Sequence, residues 1–261
     1  MAKKDLGVVP AVYPMPVLIV AAYDKGGKVN AMNAAWDSAS VSAIPKTTSS
    51  NGSTASSTNK TKSTKGNIKM AKKDLGVVPA VYPMPVLIVA AYDKDGKVNA
   101  MNAAWGMICD MDKIALFISE GHKTTKNILE SKAFTVAIAD KAHMDVADYF
   151  GIASGNNTPD KFERTGYTAT KSQHVNAPII DEFPVTMECE LAEVVSTETM
   201  YCIVGKIANV VADEAVLSEN GKVDPAKLNA LIFDQFQSGY YVSGDKVGQA
   251  WNAGKPLMQK K

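Results

Sequence analysis

From residue 85 onward, apolar positions come in short runs of strand length separated by polar breaks. "PVLIVAAYD" (85–93), "KIALFIS" (113–119) and "AFTVAIA" (133–139) are such runs. "PVTMECELAEVV" alternates apolar and polar residues, and "YCIVGKIANVVAD" follows it, so both read as longer strands. Asp95-Gly96 predicts a two-residue hairpin turn from 85–93 into one returning strand, "VNAMNAAWGMICD". Helical signals are fewer. "TTKNILES" (124–131) has Thr124 or Thr125 as N-cap, with Ile128 and Leu129 on its apolar face. "MDVADYFGIAS" reads as helical turns, as does "TPDKFERTG" with Pro159 at its first helical position. "DPAKLNALIF" (224–233) predicts a last helix. The sum is mainly β (α+β): a closed or partly closed β-barrel with peripheral helices.

The first part of this pattern occurs twice. Residues 1–36 and 70–105 are the same sequence except that Gly26 stands where the second copy has Asp95. Both Gly-Gly and Asp-Gly suit a hairpin, so that difference disables neither copy. The continuation does: Trp105 leads into Gly106 and further strands, whereas Trp36 leads into Asp37. Residues 37–69 are Ser, Thr, Asn and Lys with little to bury, and predict a flexible linker. "KGNIK" before Met70 back-translates to a purine-rich string ahead of a start codon, which suggests a tandem partial duplication, natural or made in the laboratory. Two units do not make a solenoid. The division expected is a non-functional partial duplicate (1–36), a linker (37–69) and a complete domain (70–261). Copy one would have to close a loop of 69 residues to enter the barrel, which costs about 4 kcal/mol for an ideal chain and favours copy two. Copy one is then left disordered, packed on an exposed edge, or swapped into another subunit.

Composition narrows the class. With 46% apolar and 21% charged residues the chain is an ordinary globular protein. A net charge of +1 gives no argument for nucleic acid or an anionic membrane. The run "VLIVAA" is too short to span a bilayer, and Pro10, Pro14 and Pro16 break up any signal-peptide core, so a cytoplasmic location is expected. Cys109, Cys189 and Cys202 are odd in number and without CxxC spacing; buried reduced thiols are expected, and no metal site.

Familiar catalytic motifs are missing: no GxSxG, HExxH, GxxxxGK[ST] or GxGxxG. His143 reads as a helix-surface residue and His174 is given no role. Glu188 and Glu190 share one strand face and read as solvent-facing. Two segments carry candidate chemistry. "NAMNAAW" (99–105) puts small residues and asparagines in a strand, which suits either a flat heterocycle against the backbone or a tight barrel interior. "SEGHKTTKNI" (119–128) gathers His122, Lys123, Thr124 and Thr125 at a helix start, which suits either an anion or an ordinary capped helix.

These segments resemble the flavin reductase-like family, which includes flavoredoxin. "NAMNAAW" resembles its N-x-M-(T/N)-x-x-W strand, "SEGHKTTKNI" its phosphate segment, and "DYFGIASGNNTPDKFERTGY" its SG…DKF…TG segment. "FTVAIAD", "PVTMECELAEVV" and "GKPL" extend the likeness over most of residues 70–261. The resemblance implies an FMN-binding split β-barrel and a homodimer with FMN near the subunit interface. It implies that Asn102, Ala103, Ala104 and Trp105 lie along the flavin, His122, Lys123, Thr124 and Thr125 near its phosphate, and Lys161 close by. Many relatives have Arg where His122 stands, which shifts weight to Lys123 and the backbone. No protein side chain is assigned as catalytic, because flavin carries the redox chemistry. NADH or NADPH is the implied reductant, and a small molecule or protein the acceptor. The leading reading is thus an FMN-dependent oxidoreductase, an NAD(P)H-dependent flavin reductase; the second is flavoredoxin-type electron transfer without nicotinamide turnover, and the alternative is a non-enzymatic FMN-binding or strand-exchange protein.

Overall fold

The computed structural model describes residues 2–33 and 72–258. The expected linker, and Ala34–Trp36 of copy one, lie outside the described residues. Met1–Pro16 with Ala80–Lys261 form one compact unit and Val17–Pro79 another.

The strands in chain order are β1 (Lys3–Gly7), β2 (Ile19–Tyr23), β3 (Val29–Asn33), β4 (Met84–Pro85), β5 (Leu87–Tyr92), β6 (Val98–Ala103), β7 (Gly106–Asp110) and β8 (Lys113–Leu116). Helix α1 (Lys123–Ser131), β9 (Ala133–Ile138) and α2 (Met144–Ile152) follow. Then come β10 (Ala169–Lys171), β11 (Pro178–Ile180), β12 (Val185–Ser196), β13 (Tyr201–Asp213), α3 (Pro225–Leu228), β14 (Leu231–Asp234), β15 (Gly239–Val242) and α4 (Lys255–Met258). The main sheet of the larger unit runs β6-β5-β9-β12-β13-β8-β7, with antiparallel neighbours. Along one edge of β13, β8 pairs with Ile203–Lys206 and β1 with Val210–Asp213.

Strand β5 shows why the run reads as continuously apolar rather than alternating. Leu87, Val89 and Ala91 enter the barrel core with Leu116, Phe134 and Met187. Ile88 and Ala90 face a second cluster with Ala147, Phe150, Phe162 and Phe183. Both faces are covered, so both carry apolar residues. Gly106 marks a tight crossing of the barrel: a Cβ there would lie 2.7 Å from side-chain carbons of both Leu87 and Leu116. Copy one has Asp37 at the matching place, so its hairpin could not lead into this crossing.

The competition between the copies is split. Copy two supplies the hairpin β5–β6 inside the sheet. Copy one supplies β1, and Leu6, Val9, Ala11 and Tyr13 pack on the barrel core, with Val12 buried in it. Lys3 Nζ donates to the Phe183 carbonyl at 2.6 Å and lies 3.1 Å from Asp213 Oδ1. The matching residues of copy two, 72–80, are all exposed. The closure entropy of a long loop is therefore outweighed at this edge. We attribute this to β4, whose pairing with Ile232–Phe233 of β14 fixes where the copy-two chain enters.

Several local expectations change. The hairpin loops have three residues. Asp93 N donates to Lys97 O at 2.9 Å, Gly96 N donates to Asp93 O at 2.9 Å, and Gly96 has φ +76°. That is a type I turn closed by a left-handed glycine, so Gly96 and its counterpart Gly27 carry the special conformation and Asp95 does not. The returning strand breaks at Ala104–Trp105 into β6 and β7. The N-cap of α1 is His122, neither Thr124 nor Thr125. Around Pro159 the chain makes turns, with a short 3-10 segment at Glu163–Thr165. In 224–233 the helix stops at Leu228, where Asn229 takes φ 49°, and β14 follows.

Three polar readings also change. Glu188 is buried and accepts from Ser172 Oγ at 2.5 Å and Asn209 Nδ2 at 2.6 Å, while Glu190 is exposed. The register shift at this step leaves Ala208 of β13 unpaired and does not interrupt β12, so it is the covering by Ser172 and Asn209 that separates Glu188 from Glu190. His143 is held beside Asp140 at 2.5 Å, its ring edge-on to Tyr167 and Phe183, instead of riding a helix surface. Cys189 and Cys202 are buried thiols, but Cys109 is exposed.

Candidate functional site

Four stretches of chain converge on a pocket of about 210 Å³. Strand β6 brings Met101 and Asn102, and the start of α1 brings His122, Lys123 and Thr124. The end of α2 and its following loop bring Phe150 to Gly155, and Lys161 comes from the next turn. Two buried contacts fix these parts. Asn99 Nδ2 donates to Thr124 Oγ1 at 2.6 Å, tying β6 to α1. Asn102 Nδ2 donates to Ala147 O at 3.0 Å, tying β6 to α2. Glycines allow the close approach: a Cβ on Gly155 would lie 2.2 Å from Asn99 Oδ1 and 3.1 Å from Lys123 Cβ.

Lys161 dominates the electrostatics. Its side chain is buried, and the residue is only 3% exposed. Nζ donates to Ala153 O at 2.8 Å and weakly to Phe150 O at 3.4 Å, and sits 5.9 Å from the centre of the Phe150 ring. An ammonium has three N–H donors, so one is left over. Burial pulls its pKa down to about 8, with no carboxylate opposing that shift. Its neighbour His122 is also pushed down, by burial first and by the charge of Lys161 second, which keeps the imidazole neutral at neutral pH.

Helix α1 opens beside these groups without a side-chain cap and without an acidic residue in its first turn. Its first N–H groups have no intrahelical acceptors, and the dipole adds partial positive charge. Lys123 Nζ lies 3.7 Å from Asp93 Oδ2. Burial disfavours the Asp93 charge, but the Lys97 and Asp95 backbone N–H groups and the charges of Lys123 and Lys97 outweigh it and lower its pKa.

Of the residues singled out from sequence, Asn102, His122, Lys123, Thr124 and Lys161 line this pocket. Thr125 instead turns its hydroxyl to Ser119 O at 2.8 Å. Ala103 is buried in the barrel core. Ala104 is half-buried and Trp105 is 56% exposed, its carbonyl accepting from Phe117 N at 2.8 Å. In the sequence, Ser154 and Gly155 are marked only as the SG of the family-like segment, without a role in the site, and Gly151 is not singled out. That resemblance names the segment but not its place, which follows only once α2 is set against β6.

An uncapped helix start with a buried ammonium beside it has the chemistry that suits an anionic ligand. The flavin reductase like domain matches residues 80–237, and the chain belongs to that family. Its fold is that of the split-barrel proteins. Flavoredoxin of Desulfovibrio vulgaris (Miyazaki F) is 36% identical, with 70% of this chain and all of that chain covered and a TM-score of 0.67. Flavoredoxin from Methanosarcina acetivorans is 28% identical over 72% of this chain and 98% of that chain, with a TM-score of 0.64. An uncharacterised protein of Aquifex aeolicus (strain VF5) is 27% identical over 175 residues, 64% of this chain and 87% of the relative. No helix among the described residues is long and apolar enough to cross a membrane.

Proposed function

We propose that the protein is an FMN-binding oxidoreductase reduced by NADH or NADPH. The observation that carries this reading is Lys161, a buried ammonium with a spare donor beside the open start of α1. Such a pair suits a phosphate. Lys161 supplies the charge, and the first N–H groups of α1 and the Thr124 hydroxyl supply directed donors. Neutral His122 adds a hydrogen-bonding ring without extra charge, and Gly151 and Gly155 let the backbone come close. Asn102, held by Ala147 O, presents its amide at the other side of the pocket. The flavin, when bound, supplies hydride and electron transfer. The protein's part is to hold, orient and shield it.

The pocket of about 210 Å³ is smaller than the roughly 300 Å³ at which drug-sized ligand sites begin. A pocket of that size would suit the phosphate end of FMN rather than the whole cofactor. We propose that a second subunit covers the rest of the cofactor, in a homodimer.

Titration of the full chain with FMN tests the reading. The expected result is bound FMN with quenched fluorescence; no binding would refute it. Affinity should fall as pH rises through about 8, because Lys161 loses its proton there. A bound anion holds that proton, so binding between pH 8 and the ordinary lysine value of 10.5 should take up a proton. Calorimetry in buffers of different ionisation enthalpy reads this directly. Anaerobic mixing with NADH or NADPH then separates the alternatives: rapid bleaching of the flavin band marks a nicotinamide-dependent reductase, and its absence an electron carrier fed by a protein.

A further inference from the structure

The edge of β13 is occupied by residues that the chain carries twice. Lys3 to Pro14 and Lys72 to Pro83 are the same twelve residues, "KKDLGVVPAVYP". The docked copy meets a built site. Lys3 and Asp213 are both largely shielded, Lys3 also reaches Phe183 O, and Lys3, Lys4, Asp5 and Gly7 pair in register with Asp213, Ala212, Val211 and Val210. Beyond the strand, Leu6, Val9, Val12 and Tyr13 line an apolar groove with Ile138, Val185 and Leu228.

The undocked copy stands much nearer in sequence. Pro83 directly precedes Met84, which β4 anchors on Phe233 of β14. Chain proximity alone should put this copy on the edge first. It is instead exposed from Lys72 to Ala80, and the upstream copy holds the edge. Two ligands of identical chemistry cannot differ in intrinsic affinity. The difference therefore lies in what the β4 anchor lets residues 72–83 reach. A β13 edge on another molecule carries no such constraint.

We propose that the β13 edge is an exchange site for this segment, and that residues 72–83 dock on a second copy of this chain when its own residues 3–14 release. Every contact made by Lys3, Asp5, Leu6 and Val12 is then made by Lys72, Asp74, Leu75 and Val81 across the interface. Tethering gives residues 3–14 an effective concentration in the millimolar range, so exchange is rare in dilute solution. Loss or weakening of the first copy turns it into the main state.

The test uses the full chain with Cys109→Ser, which removes the exposed thiol. Asp74→Cys and Val211→Cys place thiols where the β1 register sets Asp5 opposite Val211. Lys3→Glu and Leu6→Asp weaken the first copy. The protein is oxidised at micromolar concentration and the disulfides are mapped by mass after non-reducing electrophoresis. Expected is an interchain bond between the two introduced thiols, falling at least about tenfold when Lys72→Glu and Leu75→Asp are added. An intrachain bond would show that the nearer copy reaches its own edge, and would overturn the proposal. So would an interchain yield indifferent to Lys72→Glu and Leu75→Asp, or no bond in a chain whose near-ultraviolet circular dichroism stays native. The same thiol pair with residues 3 and 6 unaltered, at millimolar protein, covers the case in which the weakened chain does not fold. There the same interchain bond is expected in lower yield, and its absence counts against the proposal.

Discussion

Copy one and copy two are one sequence in two environments, and they divide sharply. In copy two, Leu87, Ile88 and Val89 are fully buried. In copy one, Ile19 and Val20 are 66% and 51% exposed on a two-stranded hairpin of the same register. At the N-terminal segments the roles reverse: Lys3 to Gly7 form a paired strand and Lys72 to Gly76 do not. Local structure survives both changes. Gly7 N donates to Asp5 Oδ1 at 2.8 Å, and Gly76 N to Asp74 Oδ1 at 2.8 Å. Both hairpins close on a left-handed glycine, Gly27 or Gly96, at φ +76°. Side-chain to backbone turns and hairpin loops are thus set within a few residues. Burial is set by what the chain does afterwards: Gly106 lets copy two cross the barrel, and Asp37 follows copy one.

The contrast can be broken at matched positions. Ile88→Ala should destabilise the protein by about 2–5 kcal/mol, whereas Ile19→Ala should stay within about 0.5 kcal/mol, both read by urea unfolding. Equal effects would mean the two hairpins exchange places. Next, Lys3→Ala should cost about 1–3 kcal/mol because it strips Asp213 and Phe183 O of their partner, and Lys72→Ala should be nearly silent. At the site, Asn102→Ala should weaken FMN binding about tenfold, roughly the worth of one hydrogen bond, while Asn33→Ala leaves the fluorescence titration unchanged. The smallest effect belongs to the single difference between the copies. Asp95→Gly should shift stability by about 0.5 kcal/mol or less, since the strained position is Gly96.

Much of the larger unit was legible as sequence. Strand-length apolar runs mark β5, β8 and β9, and the long strands β12 and β13 fall where alternation and length place them. The helix start at residues 122–124 was found because polar residues gather there before an apolar pair. What escaped depends on tertiary contact. "LNALIF" has helical propensity, yet Asn229 adopts a left-handed turn and Ile232 and Phe233 pair with β4. Glu188 looks like a surface carboxylate until Ser172 and Asn209 close on it. Half of the pocket, Phe150 to Gly155, is chemically plain: its SG carries a family likeness, but its place in the site follows only from the packing of α2 on Asn102. No periodicity could assign β1 to copy one, because the two copies are the same there.

The hairpin β2–β3 has a consequence for the life of the molecule. Ile19, Val20, Tyr23, Val29 and Met32 are all exposed on it. To a chaperone or protease, such a segment carries the mark of a chain still waiting to fold. Limited proteolysis of the full chain is therefore expected to cut near β2–β3 before it cuts the barrel.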